Sequence, residues 1–228
     1  MIDIQHNINA THQRIKQASV QQGVEPPILL AISKTRPASD IVVAFEAGVR
    51  HFGENYLQEA LEKIAALEGY PIEWHFTGPI QSNKTRAVAE NFSWIHTLDR
   101  NKIARRLNEQ RPEKLGKLKV CLQVNVDREE SKSGLLPERV AELAEEVSLL
   151  PNLELKGLMA IPQAGAKDAP RKKSFQTLAR MLAELKKIHP QMDVLSMGMS
   201  GDLELAIAEG ATIVRVGTAV FGQRIKKP

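Results

Sequence analysis

Short apolar runs alternate with stretches of helical periodicity along almost the whole chain. The first stretch places apolar side chains at Ile4, Ile8, Ile15 and Ala18, a helical spacing that ends at Gly23. After it, the pattern predicts strands over residues 28–33, 50–53, 73–77, 94–97, 118–126, 155–160, 194–197 and 213–216. Between the strands it predicts helices over residues 39–47, 56–67, 82–91, 102–110, 137–149, 171–188 and 203–209.

Strict alternation of strands and helices predicts parallel strands joined by crossover helices. Eight such units that close on themselves form a (β/α)8 TIM barrel. We predict this α/β fold, as a single domain over residues 1–228 with an extra N-terminal helix. A doubly wound open sheet is the alternative, but there a glycine fingerprint commonly follows the first strand, where this chain has Lys34-Thr35-Arg36-Pro37. Residues 163–170 are the candidate mobile loop.

The composition is that of an ordinary soluble globular protein, with 43% hydrophobic and 25% charged residues. The net charge of +4 is spread along the chain, so we expect no nucleic-acid partner and a frayed basic end at residues 224–227. No stretch has the pattern of a signal peptide or a membrane span, and we expect a cytoplasmic protein with no membrane partner. The single cysteine, Cys121, lies in an apolar run and is predicted to be a core thiol.

Residues that can carry chemistry follow the predicted strands. In a barrel, functional groups lie where strands end and the following loops begin. The loops after strands seven and eight are rich in small residues, and their bare backbone amides predict an anion site. This rule gathers residues from several strand ends, and among them the candidate site residues are Lys34, Asn55, Ser200, Arg215, Gly217 and Thr218.

Lys34 closes the first apolar strand. A lysine amine beside a phosphate site suggests a phosphorylated aldehyde held as a Schiff base. The alternative is a lysine whose charged end is solvated at the rim. Positive charges at Arg36, Lys84 or Lys132 would favour the uncharged amine, which is the nucleophilic form.

Arg215 lies inside the last apolar strand. Facing a pyridine ring, a guanidinium would keep the ring nitrogen unprotonated and make the ring a weak electron sink. The alternative is an arginine paired with a carboxylate. Ser200 and Thr218 have the alternative role of helix caps. His75 is predicted to be a core histidine rather than a ligand, and because no His/Asp/Glu cluster has metal spacing, we predict no metal site.

Several long blocks of this sequence resemble the pyridoxal phosphate homeostasis proteins, the YggS/PROSC family. They cover residues 31–35, 51–56, 74–84, 131–134, 157–161, 197–202 and 215–222. The resemblance implies a single-domain barrel like the N-terminal domain of bacterial alanine racemases, with pyridoxal 5′-phosphate bound to Lys34 as an internal aldimine. It also implies phosphate contacts from Ser200, Gly217 and Thr218, Arg215 at the pyridine nitrogen, and Asn55 beside the cofactor. One difference is Arg36, where some relatives have a lysine that offers a second amine.

The resemblance implies a carrier or regulator of intracellular vitamin B6 and amino-acid pools, without clear catalytic turnover. Apo forms of enzymes that use pyridoxal phosphate are candidate partners, with Lys84 or Lys132 as candidate amines in transfer, and we expect a monomer. The alternatives are an amino-acid racemase or Schiff-base lyase, and a phosphate-binding barrel enzyme with Lys34 as general base. A racemase also needs a tyrosine from a further domain, which we expect to be absent because the sequence ends six residues after Gly222.

Overall fold

The computed structural model describes residues 2–129, 132–162 and 167–223. Eight parallel strands form a closed barrel in chain order, and the last strand pairs with the first. This confirms the predicted (β/α)8 barrel and excludes the open sheet. The strands are β1 (Ile28–Ile32), β2 (His51–Glu54), β3 (Glu73–Phe76), β4 (Trp94–Leu98), β5 (Leu118–Gln123), β6 (Leu153–Met159), β7 (Val194–Ser196) and β8 (Ile213–Val216).

Helices connect the strands and form the outer layer. They are α1 (Ile4–Gln22), α2 (Ala38–Glu46), α3 (Leu57–Ala66), α4 (Thr85–Asn91), α5 (Asn101–Gln110), α6 (Val140–Ser148), α7 (Asp168–Lys186), α8 (Leu203–Ala208) and α9 (Thr218–Phe221). Short 3₁₀ turns occur at Ser82–Lys84, Glu113–Leu115 and Pro137–Arg139. Each predicted helix corresponds to one of α1 to α8.

Two hydrophobic clusters hold the layers together. The larger one fills the space between the strands and the surrounding helices, with fully buried side chains such as Phe52 and Phe175. The smaller one lies among Leu30, Trp94, Cys121, Met159, Val194 and Ile213 of the strands. Burial removes apolar surface from water, at roughly 25 cal/mol per Å², and this drives the layers together.

Cys121 is fully buried in the smaller cluster, as predicted for a core thiol. Burial raises the pKa of this thiol to about 12, so it stays protonated and unreactive at neutral pH.

The structure differs from the sequence prediction at α7 and at α9. Helix α7 begins at Asp168, so the last part of the predicted mobile loop is helical, and residues 163–166 lie outside the described part of the chain. Pro170 is tolerated because the first-turn amides of a helix need no intrahelical partner. Helix α9 was not predicted, since four residues carry no periodicity.

Helix α1 packs on the outside of the barrel against α8 and α9, which follow the last two strands. Asn7 Nδ2 donates to the carbonyl oxygen of Val220 at 3.0 Å. Arg14 forms an ion pair with Glu204 at 2.7 Å and donates from Nη2 to the carbonyl oxygen of Ser200 at 3.1 Å. The extra N-terminal helix therefore supports the loop that contains Ser200.

Among the helices of the described residues, none has both the length and the apolar composition that a membrane crossing requires.

Candidate functional site

A cavity of about 260 Å³ opens where the strands end at their carboxyl termini. All six site residues predicted from the sequence contribute to its wall: Lys34, Asn55, Ser200, Arg215, Gly217 and Thr218. The structure therefore brings together residues that are more than 180 positions apart in the chain. The remaining described wall residues are Ile32, Thr77, Met159, Ile161, Met199 and Gly201, and none of them is among the six site residues predicted from the sequence.

The wall carries positive charge. Lys34 and Arg215 line the cavity, and no acidic side chain occurs among the described residues that do so. Two cations and a set of backbone amides around a small cavity suit a compact anion.

Lys34 follows β1 at a half-buried position. Its neighbours on both sides are anchored. Ser33 Oγ donates to Glu54 Oε1 at 2.6 Å, and the Thr35 amide donates to Glu59 Oε1 at 2.5 Å. Thr35 has a φ of +64°, which is uncommon for a β-branched residue and costs conformational energy. The backbone that presents Lys34 is thus held in an unfavourable conformation by its neighbours.

A buried cluster of charged groups provides this anchoring. Lys63 Nζ donates to the carbonyl oxygen of Ser33 at 2.8 Å, to Glu54 Oε1 at 2.7 Å and to Glu59 Oε1 at 2.5 Å. Glu54 is fully buried, and its second carboxylate oxygen has no hydrogen-bond partner among the described residues. Burial raises the pKa of Glu54, while Lys63 acts in the opposite direction.

Asn55 is oriented by its neighbours on β3 and the following loop. Thr77 Oγ1 donates to Asn55 Oδ1 at 2.9 Å, which leaves the Asn55 amide hydrogens as donors on a residue that lines the cavity. A Cβ at Gly78 would collide with the carbonyl oxygen of Asn55, so glycine is required there. The close approach of these two loops places Asn55 at the cavity wall.

The loops after β7 and β8 are joined through Ser200. The backbone amide of Ala219 donates to Ser200 Oγ at 3.2 Å. Gly198, in the turn after β7, has a φ of +88°, and a Cβ there would collide with Ala206. Ser200 thus connects the two small-residue turns rather than capping its own helix α8, whose first turn begins after Asp202.

Arg215 is 5% exposed and forms hydrogen bonds to β7 and to the residue that follows β6. Its Nη1 donates to the carbonyl oxygen of Ser196 at 2.5 Å and to Ser196 Oγ at 2.9 Å, and its Nη2 donates to the carbonyl oxygen of Ala160 at 2.8 Å. These bonds use three of the five guanidinium N–H donors. Burial lowers the pKa of Arg215 to about 10, so it remains charged at neutral pH. The alternative of a carboxylate partner is wrong within the described residues, where its hydrogen bonds go to carbonyl and hydroxyl oxygens.

The three other cations considered from the sequence lie in different places. Arg36 Nη2 donates to the carbonyl oxygens of Gly222 and Gln223 at 2.6 and 2.9 Å. Lys132 Nζ pairs with Glu129 at 2.5 Å and lies 3.3 Å from the carbonyl oxygen of Ile161, a wall residue, so it stands beside the cavity. Lys84 is exposed and is not among the described wall residues. Ser131, in the loop before Lys132, lies outside the described residues.

The structure also brings together histidines from different strands. His75 is fully buried, as expected for a core residue, and its ring bonds to both His51 and His96. Ligand atoms of His51, Glu73 and His75 lie within 4.8 Å of one another, a grouping that the sequence spacing did not reveal. Neighbouring strands create it, since His51 and His75 belong to β2 and β3.

The fold and the cavity define the class of protein. A family model described as the alanine racemase N-terminal domain matches residues 3–225. The chain belongs to this family, and within it to the pyridoxal phosphate homeostasis proteins, which confirms the resemblance seen in the sequence. The protein of that name from Pseudomonas aeruginosa is 55% identical over 226 residues, covering 98% of this chain and 97% of that protein. The protein from Escherichia coli is 48% identical, with 98% of each chain covered.

Solved structures agree with this assignment. PipY of Synechococcus elongatus without PLP has a TM-score of 0.88 at 37% identity, covering 96% of this chain and 100% of that one. PipY with PLP bound has a TM-score of 0.80 at 38% identity, covering 92% and 99%. Alanine racemase from Corynebacterium glutamicum shares the fold, with a TM-score of 0.73 at 19% identity, and this chain covers 61% of it.

Proposed function

We propose that this protein binds pyridoxal 5′-phosphate in the cavity and acts in vitamin B6 and amino-acid homeostasis as a carrier or regulator. The observation that carries the proposal is the meeting of Lys34, Arg215 and the two small-residue turns in one cavity. A related structure with PLP bound supports it. When bound, the cofactor supplies an aldehyde that combines reversibly with amines.

Lys34 is the proposed covalent attachment point. Its amine would hold the cofactor through a reversible C=N bond to the aldehyde carbon, with the aldehyde oxygen released as water. The buried Lys63 is not among the described wall residues of the cavity, whereas Lys34 is. The anchored backbone on both sides of Lys34 fixes where the amine is presented.

The phosphate group is assigned to Ser200, Gly217 and Thr218. Backbone amides in the turns after β7 and β8 are donors for a phosphate, and Ser200 Oγ holds the two turns together. The cavity contains positive charge to balance the anion, and its described wall lacks acidic groups that would repel it. Asn55 offers its amide hydrogens from the β2 loop.

Arg215 supports a carrier rather than an enzyme. It stays charged at neutral pH and has two N–H donors beyond those in the described hydrogen bonds, so it can face a pyridine nitrogen as a donor. A ring nitrogen that accepts from a guanidinium stays unprotonated, which weakens carbanion chemistry. Tyr56 and Tyr70 are exposed and do not belong to the described cavity wall, so neither supplies the opposing base of a racemase.

Apo forms of enzymes that use PLP remain the proposed recipients, and Lys132 is better placed than Lys84 to take part in transfer. Its amine contacts the carbonyl of Ile161 at the cavity wall, whereas Lys84 is exposed and outside that wall. Cytoplasmic location and a monomeric state complete the proposal.

Borohydride reduction of the protein loaded with PLP, followed by peptide mass mapping, tests the assignment. We expect a phosphopyridoxyl label on Lys34. In Lys34→Ala the label and the visible absorption band disappear, and affinity for PLP falls by about tenfold or more because the covalent bond is lost. Lys84→Ala is the matched control and keeps both. In the protein without substitutions, a label on another lysine, or no label at all, contradicts the proposal. Formation of D-alanine from L-alanine faster than with PLP alone contradicts the carrier role.

A further inference from the structure

A continuous line of hydrogen bonds leads away from Arg215 through the inside of the barrel. Arg215 Nη1 donates to Ser196 Oγ at 2.9 Å, and Ser196 Oγ lies 2.8 Å from His96 Nδ1. His96 Nε2 lies 2.8 Å from His75 Nδ1, and His75 Nε2 lies 3.0 Å from His51 Nδ1. We call Ser196, His96, His75 and His51 the histidine network. It joins four strands and ends at His51, whose side chain is 25% exposed.

The chemistry of the first bond determines the direction of all the others. An arginine donates and never accepts, so Ser196 Oγ accepts from Arg215. Ser196 is fully buried, and its hydroxyl hydrogen needs an acceptor of its own. Within residues 2–129, 132–162 and 167–223, the remaining side-chain partner of that oxygen is His96 Nδ1.

The hydrogen bonds between the rings then all run in the same direction. If His96 accepts at Nδ1, a neutral His96 carries its proton on Nε2 and donates to His75 Nδ1. By the same argument His75 carries its proton on Nε2 and donates to His51 Nδ1. The reverse direction would leave the buried Ser196 hydroxyl hydrogen without an acceptor, and an unsatisfied buried donor is unfavourable.

The surroundings keep these rings neutral. Burial lowers the pKa of His96 to about 3 and also lowers the pKa of His75 and of His51. Arg215 acts in the same direction on His96, and Lys119 does so on His75 and His51, whereas Glu73 acts in the opposite direction on the pKa of His51 without outweighing burial.

Two further groups complete the surroundings of the network. Trp94 stacks on His75 with ring centroids 5.3 Å apart. Glu73 Oε2 lies 3.6 Å from His51 Nδ1, beyond hydrogen-bond distance, and accepts from Trp94 Nε1 at 2.8 Å.

We propose that the histidine network positions Arg215 for the ring of the bound cofactor, with each histidine of the network neutral and protonated on Nε2. In this arrangement the Ser196 hydroxyl hydrogen points to His96, and a lone pair faces the guanidinium. Ser196, His96 and His75 are therefore positioning residues that act through Arg215. The proposal rests on the proposed function for its ligand, but the direction of the hydrogen bonds does not.

Nitrogen-15 NMR of the ligand-free protein tests the direction. With histidine labelled at both ring nitrogens, long-range ¹H–¹⁵N spectra at neutral pH separate protonated from unprotonated nitrogen. We expect protonated Nε2 and unprotonated Nδ1 at His51, His75 and His96. The exposed His6 lies outside the network and provides the reference signals. A proton on Nδ1 of His96 or His75 overturns the proposal, and so does a doubly protonated ring in the histidine network at neutral pH.

Two substitutions of one histidine test the positioning, with PLP as the probe. In His75→Asn the side-chain oxygen replaces Nδ1 as the acceptor for His96, whereas His75→Leu removes that acceptor. We expect the leucine variant to bind PLP about fivefold more weakly, the effect of losing about one hydrogen bond, and to shift the pH midpoint of the visible band. The asparagine variant should stay near the unmodified protein in both measurements.

Equal effects of the two variants on affinity and on the pH midpoint overturn the positioning role. Thermal unfolding checks that both variants fold, and if His75→Leu does not, the same pair is made at the partly exposed His51. If the unmodified protein fails to bind PLP, the proposed function fails, and the NMR result still decides the direction of the network.

Discussion

At the scale of single residues, the presentation of Lys34 depends on groups that never line the cavity. Lys63 and Glu54 are 5% and 0% exposed, and they hold Ser33 by its carbonyl and its hydroxyl. A buried ion pair contributes little net stability when intact, but removing one partner is destabilising because the other charge is left buried without compensation. The position of Lys34 and the stability of the barrel are therefore coupled through this pair.

We predict that Lys63→Met destabilises the protein by about 3 kcal/mol or more at pH 8, because Glu54 is left buried and uncompensated. The loss should be smaller at pH 5, since the pKa of Glu54 is already raised by burial and the carboxylate can take up a proton. Urea denaturation at the two pH values measures this.

The double variant Glu54→Gln/Lys63→Met is the control. It removes both charges, so it should be more stable than Lys63→Met alone at pH 8. A double variant that is less stable than the single one would show that the cost comes from lost packing rather than from the stranded carboxylate.

Strand ends were sufficient to predict six residues that meet in one cavity wall, because the barrel collects the end of every strand at one face. The residues that orient them were not predictable. Ser196 and His96 are 100 positions apart and meet only because the barrel closes across its interior. Likewise, the bond from the Ala219 amide to Ser200 Oγ depends on the relative height of two loops, which periodicity does not encode.

At the scale of elements, α1 acts as a brace for the loop that follows β7. Its Arg14 reaches both Glu204 on α8 and the carbonyl oxygen of Ser200. The amphipathic spacing predicted the helix, but not its position against α8 and α9. That position is set by side chains such as Asn7, whose partner Val220 is 213 residues away.

Arg14→Ala should weaken PLP binding by about fivefold, because the hydrogen bond that holds the Ser200 carbonyl is lost. The change in unfolding free energy should stay below about 1 kcal/mol, as for other exposed ion pairs. Titration with PLP and urea denaturation give the two quantities.

Glu204→Gln separates the two contacts of Arg14. It removes the ion pair and leaves the bond from Arg14 Nη2 to Ser200 available. We expect PLP affinity close to that of the unmodified protein. If Glu204→Gln and Arg14→Ala weaken binding equally, the ion pair, and not the contact with Ser200, supports the loop.

At the scale of the whole molecule, the barrel interior buries neutral histidines. The pKa values of His51, His75 and His96 are all lowered in the folded state, chiefly by burial, relative to about 6.5 in an unfolded chain. Below that value the unfolded chain binds more protons than the folded protein, so acid favours unfolding. His12 on α1 acts in the same direction.

We predict that stability is greatest above about pH 6.5 and falls as the pH decreases toward the folded-state pKa values. Each fully shifted histidine contributes up to about 1.4 kcal/mol per pH unit. Urea denaturation at pH 7.5, 6.5 and 5.5 measures the slope. Glu54 and Asp99 act in the opposite direction, because burial raises their pKa values and the folded state then holds the extra proton. A stability that is unchanged or higher at pH 5.5 would contradict the prediction.

The cavity wall includes residues at the ends of both the first strand and the last. In the pairing of β1 with β8, Leu30 stands opposite Arg215 and Ala31 opposite Val216, so the lysine and the small-residue turns face each other only after the ends of the chain have met. A molecule that binds to both sides would therefore stabilise the pairing of β1 with β8 that closes the barrel. Binding of vitamin B6 would then make the barrel more resistant to opening, in addition to occupying the cavity.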